Sequence, residues 1–341
     1  MLKTLFLQCF ILTTLWFLCS CEPKKEELRS KPKPVIRIGI MDWPGFYPLM
    51  LAIHDGVFQK TSYQIEIVKG KDNFELNSFI ESGKVDLCFG VFADHLLIRG
   101  NGKKIKYIYA ADFSKSDVLV VDKKIKSFND LIGKKISITD INSFSEFFIL
   151  RMLERKKIPE SKVSFKVFPF DQVTEQLDNK TISAGHTWDP ETAKALAKGY
   201  KILANAYELK GMITDGLMAT EEILQRQPES VSEILFLIDQ YVANIKTLNL
   251  SQKNYLALFF NTSIENIDSS IKTGVEFLNL EKNQELFKSE SNEGLTYWSR
   301  EISNFFTQRG QIRTKVAVTE ILDQTFIDQA LQKKKTNEIK K

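Results

Sequence analysis

Histidine is scarce in this 341-residue chain, with three: His54, His95 and His186. They form no two-histidine metal motif at helical spacing, and no cysteine pair has zinc-ligand spacing. A P-loop, a G-x-G-x-x-G turn and a G-x-S-x-G elbow are also absent, which removes the common nucleotide and hydrolase signatures. Acidic residues abound, but no pattern among them singles out a pair for acid–base work. Nor is there a repeat of solenoid period or a low-complexity segment in the body of the chain. The expectation is a protein without metal, cofactor or catalytic residues. His54 lies in an apolar helical stretch and reads as a core or surface histidine. His95 and His186 fall near strand ends, where a ligand contact is open.

Long apolar runs are few as well. Residues 5–18 form one, preceded by Lys3, but it is short for a membrane span and reads as a signal segment. The run ends in Leu18-Cys19-Ser20-Cys21, which resembles a bacterial lipobox. Residues 1–20 are thus expected to be a lipoprotein signal peptide and Cys21 the lipidated residue, anchoring the chain to a membrane on the outer side. A plain secretory signal or a membrane anchor is the alternative. Four cysteines exist in all, Cys9, Cys19, Cys21 and Cys88. Cleavage before Cys21 would leave Cys88 as the one thiol, which excludes an internal disulfide framework and suits a core position. Residues 21–34 carry charge and proline but few apolar groups, the composition of an extended tether. Net charge is +4, yet the excess sits at the two ends and the body, residues 35–330, is mildly acidic. The basic balance is therefore no argument for nucleic acid. The lysine-rich residues 331–341 read as a solvated tail.

Strand-like and helix-like segments alternate through the body, the pattern of an α/β protein with largely parallel sheets. The opening stretch shows how. Residues 35–40 are rich in β-branched side chains and read as a strand. Asp42-Trp43-Pro44-Gly45 breaks the pattern, Pro48 suits the first turn of a helix, and Gly56 is placed to close it. Ligands of open α/β sheets sit outside the carboxyl ends of strands, which is where Asp42 and Trp43 fall. Trp43 either meets a ligand there or plugs the sheet end. A body of about 300 residues exceeds a single core and suggests two lobes. Lobe one is expected over residues 35–119, lobe two over 120–213, and a return to lobe one with C-terminal helices over 214–330.

Several motifs in order then resemble one family. They are Trp43-Pro44-Gly45 with Pro48, Ala52, Gly56 and Phe58; Gly83-Lys84-Val85-Asp86; and Asp112-Phe113-Ser114-Lys115-Ser116-Asp117, which lacks the family's glycine. Ile125-Lys126-Ser127 with Asp130-Leu131-Ile132-Gly133-Lys134, Thr187-Trp188-Asp189-Pro190 with Gly199, and Phe326-Ile327-Asp328 complete the set. The body resembles periplasmic solute-binding proteins of ABC importers, in the group serving nitrate, sulfonate, taurine and thiamine-pyrimidine uptake. That resemblance implies a bilobal type II fold that closes on a small molecule and delivers it to a membrane permease driven by an ATPase. Pyrimidine-precursor synthases share the fold and are an enzyme alternative, although the cysteine-rich iron motif associated with them is missing. A ligand-sensing lipoprotein is a third possibility.

The loops expected at strand ends hold Asp42, Trp43, Phe46, Phe92, Asp94, Asp112, Phe113, Ser114, Asp117, Asp140, Ser143, Phe144, Trp188, Asp189 and Glu191, but one cation, Lys115, and no arginine. Charged sulfonate or nitrate usually takes an Arg or Lys partner, though a helix amino terminus with Ser143 or Thr187 offers a substitute. Aromatic faces beside carboxylates favour a flat, amine-bearing ligand, with a thiamine-type aminopyrimidine as the preferred example. The expected arrangement sets Trp43 against Trp188 across the cleft, with Asp117 and Asp189 as polar partners.

Overall fold

The computed structural model describes residues 32–339; the expected signal segment, Cys21 and most of the tether lie outside them. The body begins with β1 (Val35–Ile40), the strand predicted from its β-branched run. The same sheet takes in β2 (Gln64–Lys69) and β3 (Leu87–Val91) on either side of β1, and β4 (Ile105–Ser114) farther along. The chain then enters a second sheet made of β5 (Val118–Val121), β6 (Lys135–Ile138), β7 (Ser164–Val167), β8 (Ala184–Thr187) and β9 (Lys201–Asn205). It returns to the first with β10 (Thr214–Thr220) and β11 (Val275–Phe277). The strand orders are β11-β4-β10-β3-β1-β2 and β7-β6-β8-β5-β9, so the protein is bilobal, one α/β lobe around each sheet.

Neither sheet is largely parallel, contrary to the expectation. Pairs β1–β2, β1–β3, β6–β7 and β6–β8 are parallel. The two strands that carry the chain between lobes, β5 and β10, run antiparallel to both of their neighbours. Parallel order comes from βαβ crossovers within one lobe, and a strand that arrives from the other lobe is free of that constraint.

Among the described residues the first four α-helices are α1 (Tyr47–His54), α2 (Asn73–Ser82), α3 (Phe92–Gly100) and α4 (Phe144–Arg155). Pro48 does occupy the first turn of α1, where its missing N–H loses no helical bond. Gly56 follows that helix at φ +71°, a left-handed position that suits glycine. Asp72 caps α2 by accepting the Glu75 amide at 2.8 Å, which satisfies an otherwise orphaned N–H.

The C-terminal third wraps lobe one with helices. Helix Pro228–Asn244 buries Val231, Ile234, Leu235 and Ile238, the apolar face its 3.6-residue spacing predicts. Helix Thr325–Ile339 packs against it. Residues 331–339, read from sequence as part of a solvated tail, continue this helix, with residues 335–339 exposed. Lys334 Nζ donates to the buried Asp239 carboxylate at 2.8 Å and to Glu281, a pairing that periodicity in a polar stretch does not reveal. Helix Leu295–Gln308 joins the lobes. Phe147 of α4 meets Phe305 edge-on at 5.0 Å, and Arg309 just beyond this helix binds Glu146 of α4 at 3.0 Å and Glu160. Cys88 is a free thiol in the core, and burial pushes its pKa up. Among the described residues no helix is long and apolar enough to cross a membrane.

Candidate functional site

A cavity of about 630 Å³ lies between the lobes. Its walls come from the carboxyl ends of the six strands that have parallel partners. From lobe one, Asp42 follows β1, Lys71–Asn73 follow β2, and Asp94 follows β3. From lobe two, Thr139–Ser143 follow β6, Pro169–Asp171 follow β7, and Trp188 follows β8. Each such end releases the chain into a loop or helix start, so amide groups and side chains converge there.

The lining is acidic and aromatic. Six carboxylates contribute: Asp42, Asp72, Glu81, Asp94, Asp140 and Asp171. Lys71 is the one cation among the lining residues, and Asp42 also holds Lys69 at 2.6 Å. Trp188 stacks on Phe170, with centroids 4.1 Å apart and planes 13° from parallel, and Phe144 lies 6.0 Å from it. The Trp188 indole N–H has no acceptor among the described residues. On the outer cavity wall Phe74 of lobe one and Ile141 of lobe two are exposed.

Asp94 is the best-held acid on this wall. Its Oδ1 accepts the backbone N–H of Phe144, the first residue of α4, at 2.7 Å, and its Oδ2 accepts Asn77 Nδ2 at 3.2 Å. The first of these bonds crosses from lobe one to lobe two. Burial raises the Asp94 carboxyl to about 7, against the opposing pull of the Phe144 amide and Asn77. The lobe-two loop beside it is braced from behind. Glu146 Oε2 accepts the Asn142 amide and Gln311 Nε2, each at 2.9 Å. Ser143 caps α4, accepting the Glu146 amide and donating to the Asp140 carbonyl.

Of the residues singled out from sequence, Asp42, Asp94, Asp140, Ser143, Phe144 and Trp188 come together at this cavity; Trp43, Phe46, Phe92, Asp112, Phe113, Ser114, Asp117, Asp189 and Glu191 do not line it. Trp43 does not face Trp188. Its Nε1 donates to both oxygens of buried Asp112 at 3.3 and 3.2 Å, and it plugs the sheet end. Gly45 makes that contact feasible, because a Cβ there would lie 1.6 Å from Asp112 Oδ2. Phe46 packs on Phe89 in the core. Phe113 is buried in β4. Ser114 Oγ accepts the Ser116 and Asp117 amides and so forms the turn out of β4. Glu191 accepts the Thr174 amide at 2.8 Å and ties two lobe-two helices together. Asp189 is exposed beyond β8. Lys115 lies over the Tyr207 ring rather than in the cavity.

Asp117 serves a different purpose from the one expected. His186 is buried with Nε2 2.8 Å from Asp117 and Nδ1 2.7 Å from Ser145 Oγ. Ser145 Oγ in turn accepts the Thr139 amide at 3.0 Å. An imidazole that donates its Nε2–H to Asp117 can accept the Ser145 hydroxyl at Nδ1, so both ring nitrogens have partners. The network fixes the amino terminus of α4, one layer behind the cavity wall. Asp215 is a buried acid that sequence reading did not single out. It sits directly opposite Asp112 in the β10–β4 ladder. Burial, then Asp112, Asp117 and Asp94, push its carboxyl well above the usual range, and burial does the same to Asp112. Two opposed carboxylates favour their protonated forms. His95 is fully buried, its pKa lowered to about 3 by burial; it does not line the cavity. Among the described residues no group of three or more His, Cys, Asp or Glu side chains is arranged to hold a metal ion.

Residues 43–242 match the model of the NMT1/THI5-like family. The chain belongs to that family. No curated protein matches the sequence. Among solved structures, the chain resembles a ligand-binding component of an ABC-type import system from Staphylococcus aureus with zinc bound, at 14% identity and a TM-score of 0.70, covering 87% of this chain and 99% of that one. It also resembles the periplasmic aliphatic sulphonate binding protein SsuA from Escherichia coli, at 16% identity and a TM-score of 0.69, covering 86% and 93%. A desulfurization enzyme, DSZB, matches at 12% identity and a TM-score of 0.65, covering 88% and 99%. At these identities the likeness establishes the periplasmic-binding-protein fold. Several motif residues of this NMT1/THI5-like chain are structural. Asp86 binds the Arg37 guanidinium at 3.0 Å, and Asp130 accepts the Lys126 and Ser127 amides.

Proposed function

We propose that this NMT1/THI5-like protein is the substrate-binding component of an ABC importer, working outside the cytoplasm and capturing a flat, amine-bearing compound for a membrane permease. A thiamine-type aminopyrimidine is the preferred example. The observation that carries the ligand class is the cavity lining, six carboxylates against one lysine beside a stacked Phe170–Trp188 pair. Carboxylates accept N–H bonds and favour cations, and the aromatic faces offer stacking and cation–π contact. Similarity to binding components of import systems supports the transport role. The cavity lining, with one lysine, weighs against a sulfonate or nitrate, which usually takes cationic partners. Asp42, Asp94, Ser143 and Trp188 are the residues proposed to meet the ligand. Lipidation at Cys21 completes the proposal, and a tether would keep the protein near its permease at high effective concentration.

A thermal screen tests the binding reading. Ligand should stabilise the fold by RT ln(1 + [L]/Kd), about 2.7 kcal/mol at a hundredfold excess over Kd, and should be recovered chemically unchanged. A ligand converted to product would replace this reading with an enzymatic one. Mass spectrometry of the mature amino terminus checks the anchor; an unmodified residue other than Cys21 in first position would remove it.

A further inference from the structure

The amino terminus of α4 points its first amide at the cavity wall, and that amide is already bonded to Asp94 from the opposite lobe, at 2.7 Å. A helix start of this length ordinarily favours an anion. Here the anion is the protein's own side chain, 5% exposed and lining the cavity. Asn77 holds the second carboxylate oxygen at 3.2 Å. Because a carboxylate accepts, the Asn77 amide must present its NH2 to Asp94, which leaves its carbonyl oxygen buried without a donor. An orphaned acceptor is unfavourable, so the clamp on Asp94 is retained against a local penalty. A carboxylate also has about four acceptor positions, and these contacts use two.

We propose that Asp94 is the specificity-determining residue of the cavity: it fills the α4 amino terminus so that anionic ligands are refused, and its remaining acceptor positions receive N–H groups of the ligand. This rests on the reading that the interlobe cavity is the ligand site. Burial raises the Asp94 carboxyl to about 7, so anion exclusion is best measured at pH 8, where the charged form prevails.

The test measures binding of methanesulfonate and, separately, of 4-amino-2-methylpyrimidine by calorimetry at pH 8. The proteins are the full chain and its Asp94→Asn, Asp94→Ser and Asn77→Leu variants. Asp94→Asn and Asp94→Ser should gain about tenfold or more in methanesulfonate affinity, whereas Asn77→Leu, which keeps the charge, should not. In Asp94→Ser, aminopyrimidine affinity should fall about tenfold. Equal methanesulfonate affinity in wild type and both folded Asp94 variants would overturn the proposal, as would an equal gain in Asn77→Leu. If the wild type binds no aminopyrimidine, the preferred ligand falls while the methanesulfonate measurements still decide the role of Asp94.

Discussion

Two tryptophans end the first strand of one lobe and a central strand of the other, and the contrast between them explains how this cleft is organised. Trp43 and Trp188 are equally buried, each 6% exposed. Trp43 spends its indole N–H on Asp112 and closes the floor of lobe one. Trp188 has no such partner, stacks on Phe170, and lines the cavity. Exposure alone does not separate the two; the partner of the N–H does. The difference follows from the turn that leaves each strand. β8 has a parallel neighbour in β6 and delivers Trp188 to the cavity. β1 also has parallel neighbours and delivers Asp42 there, but the turn after it folds Trp43 back onto Asp112 at the end of β4, whose partners are antiparallel.

Replacing Trp43 with Ala should break the comparison most severely. It removes a buried ring and leaves Asp112 without its donor, a loss of about 3–5 kcal/mol of stability by large-to-small precedent; chemical denaturation measures it. Gly45→Ala should follow at about 3 kcal/mol, because the added Cβ collides with the Asp112 carboxylate. Trp43→Phe keeps most of the ring and loses the N–H, with an expected loss of about 1–3 kcal/mol. A loss in ligand affinity without a loss in stability for these variants would make Trp43 a ligand residue after all.

A smaller effect concerns pH. The Asp94 carboxyl is raised to about 7 in the folded protein, from 3.8 for the free side chain. Between these values the native state binds more protons than the unfolded chain, so this group's contribution to stability is full below about 4 and lost as pH rises through about 7. Asp112 and Asp215 are shifted in the same direction. Stability should therefore decline from pH 5 to pH 8, and less steeply in Asp94→Asn. Parallel curves from melting experiments would contradict this.

Much of the fold was legible from residue type. The β-branched run of β1, Pro48 and Gly56 marked strand, helix start and helix end because each acts locally. β10 was not, since Thr-Asp-Gly-Leu-Met-Ala-Thr has neither alternation nor β-branched density. Its Gly216 instead answers a tertiary demand, leaving room for the Tyr107 hydroxyl, which would lie 2.0 Å from a Cβ. The site was half legible. The strand-end rule located Asp42, Asp94, Asp140, Ser143, Phe144 and Trp188, and applied to β2 and β7 as well it would have found Asp72 and Phe170. It also selected Phe113, Ser114 and Asp117, because the antiparallel crossover that keeps them out of the cavity depends on pairing in space.

The most direct measurement is calorimetric titration of wild type and Trp188→Ala with 4-amino-2-methylpyrimidine, taurine and nitrate. The account predicts that the wild type prefers the aminopyrimidine and that Trp188→Ala weakens it about tenfold, as loss of a stacked aromatic contact warrants, while the fold persists. Tight binding of taurine or nitrate that Trp188→Ala leaves unchanged would contradict it.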